Sequence, residues 1–355
     1  MKIVGLFDHG GVRRRQNRVA ADRRIAGPYR VDLLMEHGID LIPVPPAKHP
    51  WHCKARDVIE HRTGTRVDLA VRSAPRILGA EGVLALLEDK AVLPGKLRRL
   101  GIPPYHRVPL TTVSCWWAEE LRHGSPERVR AIRTALRGID DAICFSRNQR
   151  SIFAAAGMPE DRIHPVRFGV DPDYYCPGEG TRDFDVVAMG IDRGRDYETL
   201  LDAARRLPDT RFDIFTQPGR VLDPPPNVMI HGPVSMEQHR DNLRSARLVV
   251  VPTHALAYPT GQSVLLEAMA CGASVAATAT AAMEEYLQDG HSNLALPAGD
   301  PVGVAKVIER ALGDEAQRRR IGRAARHRVL DSFTFQQLWA AVADILREAA
   351  VRPRF

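Results

Sequence analysis

The stretch TGQSVLLEAMACG, residues 260–272, combines residue types that hold phosphates and vicinal hydroxyls. An apolar run at 248–251 reads as a strand, a loop then carries His254, Tyr258, Thr260 and Gly261, and a helix begins near Ser263. In open α/β sheets, ligands bind beyond the carboxyl ends of the strands. The free N–H groups of a helix start favour phosphate oxygens. Gly261 allows close approach of the backbone, while Gln262 and Ser263 offer side-chain donors. Glu267 falls one turn inside the helix, where a carboxylate can accept both hydroxyls of a ribose. The plainer reading is a helix capped by Thr260 or Ser263. A carboxylate among Val264, Leu265, Leu266, Ala268 and Met269 needs partners, and this favours the ligand reading.

A second candidate is MGIDRGRDYETLLDA, residues 189–203. A strand ending at Gly190 leads into a loop with two cations, Arg193 and Arg195. A cation there can neutralise a diphosphate leaving group, although spacing alone suits solvated loop arginines better. Near the N-terminus, His9, Gly10 and Gly11 follow the first strand. The glycines permit close approach to a ligand, but no GxGxxG follows, so a dinucleotide fold has little support. His9 reads equally as a ligand contact or a satisfied loop residue. Glu88 ends GVLALLE, and Trp116 and Trp117 follow VPLTTV, both at strand C-termini. The tryptophans could stack on a sugar or an apolar acceptor, or belong to the core. No Gly-x-Ser-x-Gly elbow, Walker loop or HExxH occurs.

The elements that must position these residues alternate. Strands are expected at 2–8, 39–44, 82–88, 108–113 and 141–145, with helices ending at Gly38, at 126–138 and at 149–156. A second series runs through strands at 184–190, 211–216, 228–231, 248–253 and 274–278. Its helices are expected at 197–207, 236–246, 263–270 and 301–312. Such alternation implies parallel sheets with helices on both faces, in two doubly wound domains. The Pro-, Gly- and Asp-rich FGVDPDYYCPGEGTRD between the series reads as a linker. From Glu315 the chain is helical, breaks at Asp331-Ser332-Phe333, and restarts after Thr334 with an apolar face that either packs on its own domain or crosses back to the first.

Length and composition agree. A chain of 355 residues suits two domains, and 44% hydrophobic with 26% charged residues is ordinary for a globular protein. No apolar run approaches a bilayer span, and the first residues lack a signal-peptide pattern, so a cytoplasmic protein is expected. The five cysteines, in different elements and without CxxC, argue against a disulfide framework or zinc site. Cys144 and Cys271 read as buried structural thiols. The net charge of +7 reflects scattered arginines and a phosphate site more than nucleic-acid binding, and weak membrane-surface association stays open.

PTHALAYPTGQSVLLEAMACGASVAAT, followed by EEYLQDGHSNLALPAGDP, resembles the donor-binding segment of retaining GT-B glycosyltransferases of the GT4 type (glycosyl transferases group 1). ICFSRNQRSIFAAAGMPEDRIHPVRFGVDPDYYCPG is similar to that family's strand, helix and domain linker, and the resemblance covers about 141–300. It implies an α/β GT-B fold, with two Rossmann-like domains facing a cleft and a C-terminal helix crossing back to the first. The expected division is 1–168 with 334–355 as the acceptor side, 169–183 as linker, and 184–333 as the donor-binding domain. It further implies a hexosyltransferase acting on a UDP-, GDP- or dTDP-sugar and a small-molecule or glycan acceptor, with no nucleic acid, cofactor or metal. A monomer or homodimer is expected.

The family has two glutamates flanking the donor loop. Glu267 matches the second, on the ribose, and Pro259 stands at the first, so that sugar contact is either lost or supplied by another residue such as His254 or Tyr258. Arg195 falls near the family's phosphate-binding lysine, and Ile191 falls at its arginine unless a gap brings Arg193 there. The resulting assignment makes Arg195, Glu267 and His254 catalytic, and places Gly10, Gly11, Gly190, Arg193, Thr260, Gly261, Gln262 and Ser263 on the donor. His9, Glu88, Trp116 and Trp117 take the acceptor side. The alternatives on the same fold are a nucleotide-sugar hydrolase or epimerase, or a catalytically impaired binding protein.

Overall fold

The computed structural model describes residues 1–7, 28–45, 49–63, 65–178 and 183–352. The chain divides into two compact units, one formed by 1–166 with 338–355 and the other by 167–337.

Unit 1 is built on six parallel strands: β1 (Lys2–Leu6), β2 (Asp40–Pro43), β3 (Gly82–Leu86), β4 (Leu110–Val113), β5 (Asp141–Cys144) and β6 (Ile163–Pro165). Their order is β2-β1-β3-β4-β5-β6. Ile3, Val4, Leu84, Ile143 and Cys144 are fully buried, as strands covered on both faces require. The helices α1 (Pro50–Thr63), α2 (Val67–Ile77), α3 (Val92–Arg99), α4 (Trp117–His123), α5 (Pro126–Leu136) and α6 (Asn148–Ala155) connect them. Ser125 caps α5 by accepting from the Arg128 N–H, with Pro126 in the first turn. The segment before Gly38, expected as a helix, consists within its described part of 3-10 turns over Pro28–His37. Tyr29 and Arg30 adopt left-handed backbone angles there, which break any continuous α-helix.

Unit 2 repeats the plan with β7 (Phe184–Met189), α7 (Tyr197–Ala204), β8 (Phe212–Phe215), β9 (Val228–His231), α8 (Met236–Ser245), β10 (Ala246–Val251), α9 (Gln262–Ala270), β11 (Val275–Thr278), β12 (Leu294–Leu296), α10 (Pro301–Gly313) and α11 (Glu315–Ser332). The parallel order is β12-β11-β10-β7-β8-β9. Val186, Leu200, Phe212, Leu248, Val250 and Ile308 lie in its core. The chain runs from β7 outward to β9, then returns to start β10 on the other side of β7. The switch point therefore lies between β7 and β10, where the loops 190–196 and 252–261 leave the sheet.

The segment expected as a linker is packed in its described part. Val170 bridges to Thr334, the Phe168 N–H donates to Tyr286 Oη at 2.9 Å, and Arg326 donates to the carbonyls of Pro172 and Tyr175. After the break at Phe333, Thr334 and Gln337 form a reciprocal cap that opens α12 (Phe335–Val351). From Leu338 this helix belongs to unit 1, where Trp339, Val342, Ile345 and Leu346 are buried and Trp339 Nε1 donates to the Tyr29 carbonyl at 2.7 Å.

Candidate functional site

The switch point of unit 2 gathers residues from two loops. After β7, Gly190 has φ 149°, and its carbonyl accepts from Tyr197 Oη at 2.7 Å and Thr216 Oγ1 at 2.8 Å. Asp192 accepts from the Gly194 N–H at 2.8 Å and from Thr260 Oγ1 at 2.7 Å, which ties the two loops together. Arg195 bridges to Thr253 at the end of β10. Its side chain is 2% exposed and lies against two glycines. A Cβ on Gly190 would strike its Nε, and a Cβ on Gly261 would strike its Nη1.

Gly261 is the N-cap of α9, with φ 84° and no side chain to satisfy the helix start. The Arg195 guanidinium therefore lies beside the positive end of a helix dipole. Arg195 Nε is 3.3 Å from Asp192 Oδ2, yet Nε and Nη1 have no hydrogen-bond partner. Buried, poorly paired guanidinium N–H groups beside a helix start form a local demand for negative charge.

The other candidates fall into distinct places. Gln262 is buried, and its amide donates to Tyr258 Oη at 2.8 Å, so its side chain holds the loop in shape. Ser263 is half-buried in the first turn of α9. Arg193 is exposed, and its carbonyl accepts from Arg220. The His254 backbone is pinned by the Gly194 carbonyl at 2.9 Å, while its ring is about half exposed and 3.8 Å from Asp196. Pro259 is buried next to Thr260.

Glu267 is half-buried on α9 and paired with His239 Nε2 of α8 at 2.8 Å. Burial, and then the negative charge of Glu267, holds the Tyr175 phenol far above its usual range, so it stays protonated and donates to that carboxylate. Cys271 closes α9, with its thiol pushed up to about 12 by burial. Asp192, His239 and Tyr175 are site residues that the sequence does not single out. The only hint is the Asp-x-Gly of a tight turn at Asp192.

In unit 1, Glu88 is buried and occupied. Its Oε1 accepts from Ser114 Oγ at 3.0 Å and from the N–H groups of Cys115, Trp116 and Trp117, which lead into α4. Glu88, expected on the acceptor side, thus commits its Oε1 to this helix start. Trp117 is core at 2% exposure, whereas Trp116 is half-buried. His9, Gly10 and Gly11 lie outside the described residues.

Residues 193–344 match the family model described as glycosyl transferase-like, which covers most of unit 2. Over that stretch the chain is similar to GT4-like glycosyltransferases, and its fold is that of GT-B proteins. It is 29% identical over 117 residues to a D-inositol 3-phosphate glycosyltransferase of Streptomyces bingchenggensis, covering 33% of this chain and 25% of that protein. To an alpha-maltose-1-phosphate synthase of Mycolicibacterium smegmatis it is 24% identical over 273 residues, 66% of this chain and 70% of the relative. The fold is similar to that of Anabaena Alr3699/HepE in complex with UDP and glucose, at TM-score 0.68, 17% identity and coverage of 98% and 100%. Sucrose-phosphate synthase from Thermosynechococcus elongatus gives TM-score 0.73 at 17% identity, with 98% of each chain covered. Among the described residues no helix is long and apolar enough to cross a membrane.

Proposed function

We propose that this GT4-like chain transfers a sugar from a nucleotide-sugar to a hydroxyl of a small-molecule or glycan acceptor, with retention of anomeric configuration. The observation that carries this reading is the Arg195 guanidinium, buried against Gly190 and Gly261 at the start of α9 with N–H groups unpartnered. The donor diphosphate fills that demand for charge, seated on the α9 start and on Arg195. Glu267, oriented by His239 and Tyr175, takes the ribose hydroxyls. His254, exposed at the loop, faces the transferred sugar in the place where Pro259 offers no polar group.

In the reaction, the bond between the anomeric carbon and the diphosphate oxygen breaks while the acceptor oxygen attacks the same face. The acceptor proton passes to the departing phosphate. Positive charge held at the phosphates stabilises the leaving group as it develops negative charge, and the fixed pocket keeps the reactants aligned.

Incubation with UDP-, GDP- and dTDP-sugars, with and without glycoside acceptors, tests the reading. An acceptor-dependent product with the donor's anomeric configuration by NMR is expected. Glu267→Ala should raise the donor KM by roughly tenfold or more, as loss of hydrogen bonds to a charged group does. Donor breakdown that needs no acceptor would instead mark a hydrolase.

A further inference from the structure

The arginines that the sequence scatters along α11 are drawn together by the fold around a hollow on unit 2, with a volume of about 300 Å³. Ala246, the first residue of β10, and Ser274, just before β11, line it beside the end of α9. These are the amino ends of the strands. Arg195 and Gly261 lie at the carboxyl ends, so the hollow and the donor crevice are separate.

Among the described residues, six arginines line the hollow and no aspartate or glutamate does. Arg244, Arg247 and Arg319 reach carboxylates beyond its wall, at Asp241, Asp185 and Glu315. Arg318, 5% exposed, donates to the Ala311 and Leu312 carbonyls, and Arg326 donates to that of Ala270. These contacts cap the C-termini of α10 and α9 but leave the guanidinium charges in place. Capping therefore accounts for Arg318 and Arg326.

Capping does not account for the rest. Arg323 and His327 are exposed one turn apart on α11 and make no ion pair with a described residue. A concave wall of guanidinium groups, acid-free among the described residues, matches the donor needs of a phosphate dianion, which takes several N–H donors in forked pairs.

We propose that this hollow binds a phosphate monoester, carried either by a soluble metabolite or by a lipid headgroup. The test uses the full chain carrying Arg195→Gln, which silences phosphate uptake at the donor crevice. Inorganic phosphate is titrated by calorimetry against chloride at matched ionic strength. In parallel, the chain is sedimented with phosphatidylcholine vesicles with and without phosphatidate.

Adding Arg319→Gln, Arg323→Gln and His327→Gln should weaken whichever response is seen by roughly tenfold or more. Arg323→Lys alone should retain most of it, and melting in phosphate-free buffer checks that the triple variant folds. A response to phosphate that the triple substitution removes assigns a soluble ligand, and a response confined to phosphatidate assigns a headgroup. If neither probe responds, or the triple substitution changes nothing, the proposal is overturned.

Discussion

In unit 1 Glu88 sits at the start of α4, and in unit 2 Arg195 sits at the start of α9. Both side chains are buried where a parallel sheet hands over to a helix. Glu88 brings a negative charge to the positive end of a helix and takes up the N–H groups it meets, so that corner is closed. Arg195 brings a positive charge to a positive end, with Asp192 only at 3.3 Å, and that corner stays electrostatically open. An unfavourable arrangement retained in an otherwise well-packed domain is what a pocket for an anion requires. The same topology thus builds a closed corner in one unit and an electrostatically open one in the other, where we propose that the donor diphosphate sits.

Substitutions can break this contrast. Arg195→Ala should lower kcat/KM for transfer by roughly 10²- to 10³-fold, the usual effect of losing one group that stabilises developing charge. Its melting temperature should stay unchanged or rise, since a poorly paired buried cation is removed. Glu88→Ala should act the other way, costing about 2–4 kcal/mol in denaturant unfolding by stranding several buried N–H groups, with donor affinity unaltered.

Gly261→Ala should show a mixed effect. Its φ of 84° and the contact with Arg195 Nη1 predict a loss of about 1–2 kcal/mol and a weaker donor complex, measured by unfolding and by calorimetry. The smallest effect concerns Cys271 at the far end of α9. With its pKa raised to about 12, the thiolate is scarce at pH 8 and grows only as pH approaches that value. Native protein should leave Cys271 unalkylated by iodoacetamide at pH 8, by mass spectrometry.

The strands of both units were legible because buried parallel strands are continuous apolar runs, as in 184–190 and 248–253. The short outer strands β6 and β12 were not, since three residues carry no period. The helices α1 and α2 also escaped notice. Val58, Ile59 and Val71 point outward there, and α2 contains Pro75, so composition misleads about both.

At the site, Gly190, Arg195, Thr260 and Gly261 could be picked out because strand ends and helix starts mark them. Asp192 and His239 could not. Their roles come from Thr260, 68 positions away, and from Glu267, 28 positions away, and only the fold creates those pairs. Glu88 shows the converse hazard. A glutamate at a strand end reads as a ligand group until the helix start it caps comes into view.

The most direct test of Arg195 as the anion-binding residue is calorimetry with UDP, GDP and dTDP beside the matching nucleosides, on the wild type, Arg195→Gln and Glu88→Gln. At least one diphosphate should bind the wild type far more tightly than its nucleoside. Arg195→Gln should weaken that binding by roughly a hundredfold, while Glu88→Gln leaves it intact. A diphosphate that binds Arg195→Gln as tightly as the wild type would contradict the account.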